Sequence, residues 1–374
     1  MIEWDLLRSL ATPTRTHQNI YPSEEESIDW ERFVSLAMAH RLGPALVANA
    51  ERFDGVPQSV KDKLRARTRA ETRSSLHLTS ELHAILDTLG EAGIEALPYK
   101  GPVLSAVAHD DVGARQYADV DVLVPTADFD RACIILKREG YEPFQRLNAL
   151  GEVAFEDETG ATVDLHRAVL PRYFPRELAF ADLWDRREYV DVGGREVPAL
   201  DSADRFVVLA VHGTKHCWYR LAWVHDIATL VATDRVPWDG LRERATEHHC
   251  GRHVYLACWL AREVYGVTLP DAVADAADAD PAVATLGREA IEGLRKREAT
   301  PPTDGEQHRY QWRTLKRWPD KLLYATRVAT IPSESDVQSV ALPESLAPLY
   351  RVVRPARLVA RGGRHGVRKL RSQV

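Results

Sequence analysis

Cysteine is scarce in this sequence, with four residues among 374, and they lie far apart. No two of them form a C-x-x-C pair, so the sequence predicts neither a disulfide framework nor a cysteine-rich zinc site. The sequence also lacks a run of 18 or more apolar residues, so we expect no transmembrane segment. The first ten residues, MIEWDLLRSL, contain acids where a signal peptide would carry a basic region, and we therefore expect a cytoplasmic protein.

Lysine is uncommon as well, and the charge is unevenly distributed. The formal net charge is -6, but residues 350–374 contain seven arginines, one lysine and no acid, which leaves -14 for the rest of the chain. The acidic body disfavours extensive binding of nucleic acid, whereas the basic tail is suited to contact an anionic partner. Among so few lysines, Lys100 and Lys215 are unusual choices.

The hydrophobic pattern predicts four parts along the chain. They are 1–93, an N-terminal helical region; 94–200, a small α/β core; 201–300, a helical domain; and 301–374, a linker, C-terminal helices and the basic tail. The polar, proline-rich segment 300–309 is typical of a linker, and the spacing predicts one helix over 312–329. We therefore expect an α+β protein in which a small mixed sheet is flanked by N-terminal and C-terminal helical regions.

The most informative stretch is LPYKGPVLSAVAHDDVGARQYADVDVLVP, residues 97–125. It predicts a strand, a turn, a short helix and a second strand, on which Asp119 and Asp121 lie two residues apart. Side chains two apart on a strand share a face, so these carboxylates are neighbours. Two like charges raise each other's pKa unless a cation lies between them. Mg²⁺ is commonly held by one or two carboxylates and substrate phosphates, so the pair predicts a metal site.

Two further features strengthen this prediction. Lys100 and Gly101 follow the first strand, and a glycine allows the backbone to approach a phosphate closely at the start of a helix. A predicted hairpin, 152–156 with 162–166, carries Asp164, a third carboxylate of the kind that two-metal transfer needs. His166 shares the face of Asp164 and could orient substrate or phosphate. The ordinary alternative for Asp164 is a solvent-facing position on a half-exposed strand.

A second polar cluster lies in the predicted helices after residue 201. Its members are His212, Lys215, His216, Arg220 and Asp226. His212 and His216 are four residues apart and share a helix face, but no glutamate follows His212, so the metalloprotease motif is absent. These residues could equally be polar groups that pair within a helical core.

Several blocks resemble a known family. PYKGPVLS, GARQYADVDVLVP, FDRACIILKREGYEP and TVDLHRAV resemble, in this order, blocks of the uncharacterised nucleotidyltransferase family in the DNA polymerase beta-like nucleotidyltransferase superfamily. LAVHGTKHCWYRLAWVHDIATLV resembles the helical region of that family, and LYRVVRPARLV resembles its C-terminal helix. The chain departs from the superfamily at one place, where Lys100-Gly101-Pro102 replaces Gly-Gly or Gly-Ser.

The resemblance implies transfer of a nucleoside monophosphate from a nucleoside triphosphate (NTP) to a hydroxyl or phosphate of an acceptor. It implies that Asp119, Asp121 and Asp164 bind two Mg²⁺ ions, or Mn²⁺, and are catalytic. The nucleotide-binding residues would be Lys100, Gly101, Arg115, His166, Lys215 and His216. The residues of a lid or acceptor site would be His212, Arg220 and Asp226.

Two other functions would use the same residues. One is a nucleotide-binding regulatory module without turnover, and the other is a metal-dependent phosphohydrolase in which water is the acceptor. The sequence identifies neither the base of the NTP nor the oligomeric state. It also leaves the acceptor open among a small molecule, a peptide or protein, and RNA.

Overall fold

The computed structural model describes residues 2–13, 28–50, 55–145, 151–296, 298–332, 336, 339–340, 342, 346 and 349–357. These residues form a five-stranded mixed sheet, a separate two-stranded hairpin and flanking helices. The predicted α+β class with a small mixed-sheet core is confirmed. The division into four parts stays a prediction.

The N-terminal region is helical where it is described. Its helices are α1 (Ile2–Leu10), α2 (Trp30–Ala39), α3 (Gly43–Ala50) and α4 (Gln58–Glu91). Helix α4 is 34 residues long and buries one side, including Leu64, Leu82 and Leu89. That apolar stripe recurs at helical spacing, so one side of α4 packs while the other stays polar. Helix α4 contacts the central sheet, so the N-terminal region packs directly on the core.

The central sheet follows the predicted strands closely. Its elements are β1 (Leu97–Pro98), α5 (Gly101–His109), β2 (Asp119–Leu123), α6 (Phe129–Arg138), β3 (Glu142–Gln145), β4 (Glu152–Glu156) and β5 (Thr162–His166). The strand order is β1-β2-β5-β4-β3. Strands β2 and β5 are parallel, while β4 and β5 form the predicted antiparallel hairpin. The hairpin therefore lies directly beside the strand of the aspartate pair.

The remainder of the described chain is mainly helical. Its elements are α7 (Phe180–Asp185), β6 (Glu188–Asp191), β7 (Glu196–Ala199), α8 (Ser202–Lys215), α9 (Leu221–Ala232), α10 (Trp238–Glu247), α11 (Gly251–Tyr265), α12 (Asp271–Asp278), α13 (Pro281–Lys296), α14 (Asp304–Thr314) and α15 (Trp318–Thr330). Helix α11 is the centre of this region, because it contacts α8, α9, α12 and α13. Among the helices of the described residues, none combines the length and the apolar character needed to cross a bilayer.

The predictions for residues 300–329 are wrong in two respects. Residues 300–309 do not form a linker throughout, because α14 begins at Asp304 with a capping box, in which Thr303 and Glu306 satisfy each other's backbone N–H groups. The single helix expected over 312–329 is two helices, α14 and α15. Pro319 lies in the first turn of α15, where its missing N–H is tolerated, whereas the interior of a longer helix would lose a hydrogen bond there. Residues 350–357 are helical, and the rest of the basic tail lies outside the described residues.

Candidate active site

A cavity of about 310 Å³ lies between the central sheet, the start of α5 and the segment from α8 to α9. Of the twelve residues predicted for the site, all but Asp226 line it. Those on the sheet and the α5 side are Lys100, Gly101, Arg115, Asp119, Asp121, Asp164 and His166. Those on α8 and the following turn are His212, Lys215, His216 and Arg220. The structure thus brings together two polar clusters that are about 50 residues apart in sequence.

Strand register places the acids. Asp121 on β2 lies opposite Asp164 on β5, so their side chains occupy the same face of two adjacent strands. The intervening residues Val120, Val122 and Val163 are fully buried on the other face. Ligand atoms of Asp121, Asp164 and His166 lie within 4.8 Å of one another, close enough for one metal ion. His166 thus belongs to this group, although the sequence suggested a nucleotide-binding role, and Asp119 is not a member of it.

Asp121 is the acid with the strongest positive surroundings. Lys100 donates a hydrogen bond from Nζ to Asp121 Oδ1, and His166 Nε2 lies 3.1 Å from the same oxygen. Burial opposes ionisation of Asp121, but the charge of Lys100 and the hydrogen bond from His166 outweigh it and lower the pKa of this carboxyl below its ordinary value. Asp121 is therefore ionised at neutral pH.

His166 is itself held in place on two sides. Its Nδ1 lies 3.5 Å from Glu152 Oε2, and its ring packs edge-on against Tyr99 at 5.4 Å between centroids. Glu152 on β4 was not singled out from the sequence, although the predicted hairpin already pairs it with His166. These contacts fix the imidazole next to Asp121.

Asp119 and Asp164 have the opposite electrostatic environment. Burial and the negative charge of Asp121 raise the pKa of both carboxyls, that of Asp164 to about 7. Neither forms an ion pair with a lysine or arginine of the described chain. Acidic groups around a cavity can bind a cation, and Asp121, Asp164 and His166 are close enough to do so together, with Asp119 lining the same cavity.

Basic side chains line another part of the same cavity. Arg115 donates from Nε to both carboxylate oxygens of Asp226, at 2.9 and 3.1 Å. Asp226 is 2% exposed and lies behind Arg115, which explains why it does not line the cavity. Among the described residues, Arg41 and Arg220 have no acidic ion-pair partner.

Arg41 is the cavity residue that sequence reasoning missed most completely. It lies between α2 and α3, with a positive φ of 57°, and reaches the cavity from the N-terminal region. Burial, followed by the charge of Arg220, lowers the pKa of Arg41 to about 10, and Arg115 adds to this effect. An anion between these guanidinium groups would relieve their repulsion. No motif around Arg41 indicates this role, because its proximity to Asp119 depends on tertiary packing.

Gly101 determines how closely α5 approaches β2. Its φ is +49°, and a Cβ at this position would lie 2.8 Å from the backbone oxygen of Asp119. The absence of a side chain is therefore required by contact with β2, in a backbone conformation that favours glycine. From the sequence, we expect this glycine to let the backbone approach a phosphate. In the structure it both lines the cavity and lies against Asp119.

An aromatic wall completes the cavity. The rings of His212, His216, Tyr219 and Trp223 contact one another at centroid distances from 4.8 to 5.4 Å, apart from a longer contact of 6.2 Å between His216 and Tyr219. Burial lowers the pKa of both histidines well below its ordinary value, and nearby lysines add to the shift, so both rings are neutral. Within the described chain, neither histidine belongs to a group of three metal-ligating side chains.

A family model described as an uncharacterised nucleotidyltransferase matches residues 26–266. The match includes the whole central sheet, helices α8 and α9, and every residue named at the cavity. It ends before α12, so the C-terminal helices lie outside it. Comparisons with curated proteins and with solved structures give no match.

Proposed function

The chain belongs to the uncharacterised nucleotidyltransferase family, and on this premise we propose that it is a metal-dependent enzyme that transfers a nucleoside monophosphate from an NTP to an acceptor hydroxyl or phosphate. The observation that carries the proposal is the convergence of Asp119, Asp121 and Asp164 in one cavity that basic side chains also line. Carboxylates for metal ions beside cations for phosphates are the two requirements of nucleotidyl transfer.

The three acids share one role in this proposal, and Asp164 has a second role. Asp119, Asp121 and Asp164 would hold Mg²⁺, with Mn²⁺ as an alternative. When bound, the metal supplies positive charge at the reacting phosphate and acidity at the attacking hydroxyl. Asp164, on the strand next to that of Asp121, would also help to take the proton of that hydroxyl. His166 and Lys100 hold Asp121 ionised and fixed.

The basic side of the cavity would bind the triphosphate. Arg41, Arg115 and Arg220 present guanidinium groups, and the N-terminus of α5 adds a partial positive charge. Pyrophosphate would leave toward this side. The aromatic wall, with Trp223 at the cavity, offers a surface on which the nucleotide base can stack.

The test is the substitution Asp121→Asn, which keeps the side-chain shape and removes one charge. We expect loss of Mg²⁺-dependent NTP binding by roughly 100-fold or more and loss of transfer, because the metal that this carboxylate would hold is also the metal that would bind the triphosphate. Binding is measured as the Mg²⁺-dependent rise in melting temperature with each NTP. Transfer is measured by mass spectrometry of a cell extract, as a nucleotide-mass addition that is absent with Asp119→Ala.

Asp130→Asn is the matched control, because the Asp130 side chain is 95% exposed on α6. It removes the same charge away from the cavity and should behave as the wild type. Unchanged Mg·NTP affinity in Asp121→Asn would contradict the proposal. Release of nucleoside monophosphate without any acceptor would indicate a phosphohydrolase, and binding without pyrophosphate release against all acceptors would indicate a regulatory module.

A further inference from the structure

A second cavity, of about 390 Å³, adjoins the active-site cavity. Three residues line both: Glu152, Pro171 and Lys215. Most other residues of the second cavity come from α14, α15 and residues 331–357, beyond the span 26–266 that the family model matches. The family match therefore assigns no role to this cavity.

The order of the strands gives the second cavity its relation to the reacting groups. In the sheet, β5 with Asp164 lies between β2 with Asp121 and β4 with Glu152. A path from the metal-site carboxylates past Asp164 thus leads to Glu152 and into the second cavity. A molecule there can place a hydroxyl near Asp164 while the arginines of the triphosphate side hold the NTP.

The charges of the second cavity favour an anion. Arg354 and Arg357 are both paired with Asp336, so their charges are partly neutralised. Arg327 donates from Nη1 to the backbone oxygen of Phe174 and has no carboxylate partner among the described residues. Lys215 likewise has no ion-pair partner in the described chain.

Other charged groups face the same space. Arg172 adds positive charge beside Arg327; burial and the charges of Arg167, Arg351 and Arg327 lower its pKa, and the charge of Glu177 partly opposes them. Besides Asp336, two acids line the cavity: Asp304 at the start of α14, and Glu152, which contacts His166. An anion bound between Arg172 and Arg327 would compensate their repulsion.

The opposite wall is apolar. Tyr173 packs edge-on against His308 and Tyr324, at 5.3 and 5.5 Å between ring centroids. Val328, Ile331 and Pro332 continue the wall from the end of α15. A few charged groups opposite an apolar wall are typical of a small-molecule site.

We propose that the second cavity is the acceptor site and that the acceptor is a small organic anion, with its carboxylate or phosphate at Arg327 and Arg172 and an apolar body on the Tyr173 wall. This inference rests on the proposed nucleotidyl transfer. The acceptor hydroxyl forms a bond to the α-phosphorus of the NTP, the bond from that phosphorus to the bridging oxygen breaks, and pyrophosphate leaves. The hydroxyl proton passes to Asp164.

The probe is the fraction of a cell extract below about 1 kDa, divided by anion-exchange chromatography into retained and unretained parts. Each part is incubated with α-labelled NTP, Mg²⁺ and the full chain, and labelled products are separated. We expect labelling from the retained part alone. Phosphatase treatment beforehand abolishes the labelling if the anion is a phosphate and leaves it intact if the anion is a carboxylate.

Two variants alter the cavity in different ways. Arg327→Gln removes the cation, and Gly305→Trp fills the cavity from a position where a Cβ would meet nothing within 4 Å. We expect each variant to need about tenfold to a hundredfold more of the retained part for half-maximal labelling, as for loss of a charged hydrogen bond. The rise in melting temperature with Mg·NTP should stay as in the wild type. Gly240→Trp, at an open position on α10, is the matched control and should label as the wild type does.

Three results would overturn the acceptor proposal. They are labelling only from the unretained part or only from the larger-mass fraction of the extract, wild-type labelling by both variants, and an equal loss of NTP binding in both variants. If the wild type neither binds Mg·NTP nor labels any fraction, the proposed function itself fails, and the acceptor proposal fails with it.

Discussion

Three carboxylates on two adjacent strands have different pKa values because their neighbours differ. Lys100 and His166 contact Asp121 and lower its pKa, whereas burial and the charge of Asp121 raise the pKa of Asp164 to about 7. One acid is thus held ionised and another is suited to exchange a proton near neutral pH. The two carboxyls therefore differ in chemical behaviour because positively charged neighbours stabilise the ionised form of Asp121 more than that of Asp164.

The raised pKa of Asp164 predicts a pH dependence of stability without metal. Between about pH 4 and 7 the folded protein keeps the proton that the unfolded chain has released, so the free energy of unfolding falls as the pH rises through this window. Asp164→Asn cannot ionise. Between pH 5 and 8, we expect the free energy of unfolding of this variant to fall by roughly 1 to 3 kcal/mol less than that of the wild type. The measurement is urea unfolding in the presence of EDTA. Parallel losses in both proteins would show that Asp164 does not titrate in this range.

The buried pair of Arg115 and Asp226 predicts a large effect of removing one partner. Asp226→Asn leaves a buried guanidinium without its counter-ion, and we expect a loss of about 3 kcal/mol in the free energy of unfolding. The exposed pair of Asp87 and Arg195 is the control, since Asp87→Asn should cost much less in the free energy of unfolding. Similar losses in the two variants, measured by urea unfolding, would contradict the assignment.

At the scale of elements, the contact between α5 and β2 builds the site. The helix begins at Gly101, directly against the backbone oxygen of Asp119, and Lys100 precedes it. One junction therefore positions the N-terminus of α5, the lysine that contacts Asp121, and Asp119, the first residue of β2. A small change in backbone position at this junction would therefore move all three groups together.

Gly101→Ala should disrupt that junction. The new Cβ would collide with backbone and require a positive φ, so we expect a loss of about 2 kcal/mol or more in the free energy of unfolding and weaker Mg·NTP binding. Gly90→Ala is the matched control. Gly90 lies in α4 with nothing within 4 Å of a Cβ, and this change should stabilise by roughly 0.5 to 1 kcal/mol. Wild-type stability and binding in Gly101→Ala would show that the junction tolerates a shift.

At the scale of the whole molecule, the cavity is assembled from distant parts of the chain. Arg41 comes from the N-terminal helices, the acids from the sheet, and Arg220 from the segment between α8 and α9. A continuous hydrophobic core with members from Trp4 to Tyr324 holds these parts together. The cationic side of the site therefore depends on packing between regions.

Arg41→Gln tests that dependence. Removing this guanidinium should weaken Mg·NTP binding by roughly tenfold, as for loss of a hydrogen bond to a charged group, with little change in stability. The measurement is the melting temperature as a function of NTP concentration. Arg73→Gln, which removes the same charge from an exposed position on α4, should bind as the wild type does. Equal binding by both variants would exclude Arg41 from the nucleotide site.

The sequence by itself determined the local features. Alternation of apolar and polar residues, with Gly160 in the turn, predicted the hairpin of β4 and β5 with its bounds, and the two-residue spacing placed Asp119 and Asp121 on one face. The capping box of Thr303 and Glu306 is also local, and it is the signal in the sequence that marks the start of α14. Such features depend on neighbours a few residues apart, and these are visible in the sequence.

Only the tertiary structure decided which distant side chains meet. The pairing of Arg115 with Asp226 joins residues 111 positions apart, and the placement of Arg41 at the cavity likewise has no local signal. These contacts depend on strand order and on how the helices pack against the sheet. Sequences with the same hydrophobic periodicity can adopt different strand orders and packings, so the periodicity does not predict these contacts. The sequence therefore singled out Asp119, Asp121 and Asp164 as candidates, while the contact of Lys100 with Asp121, the position of Arg41 and the second cavity could not be predicted from it.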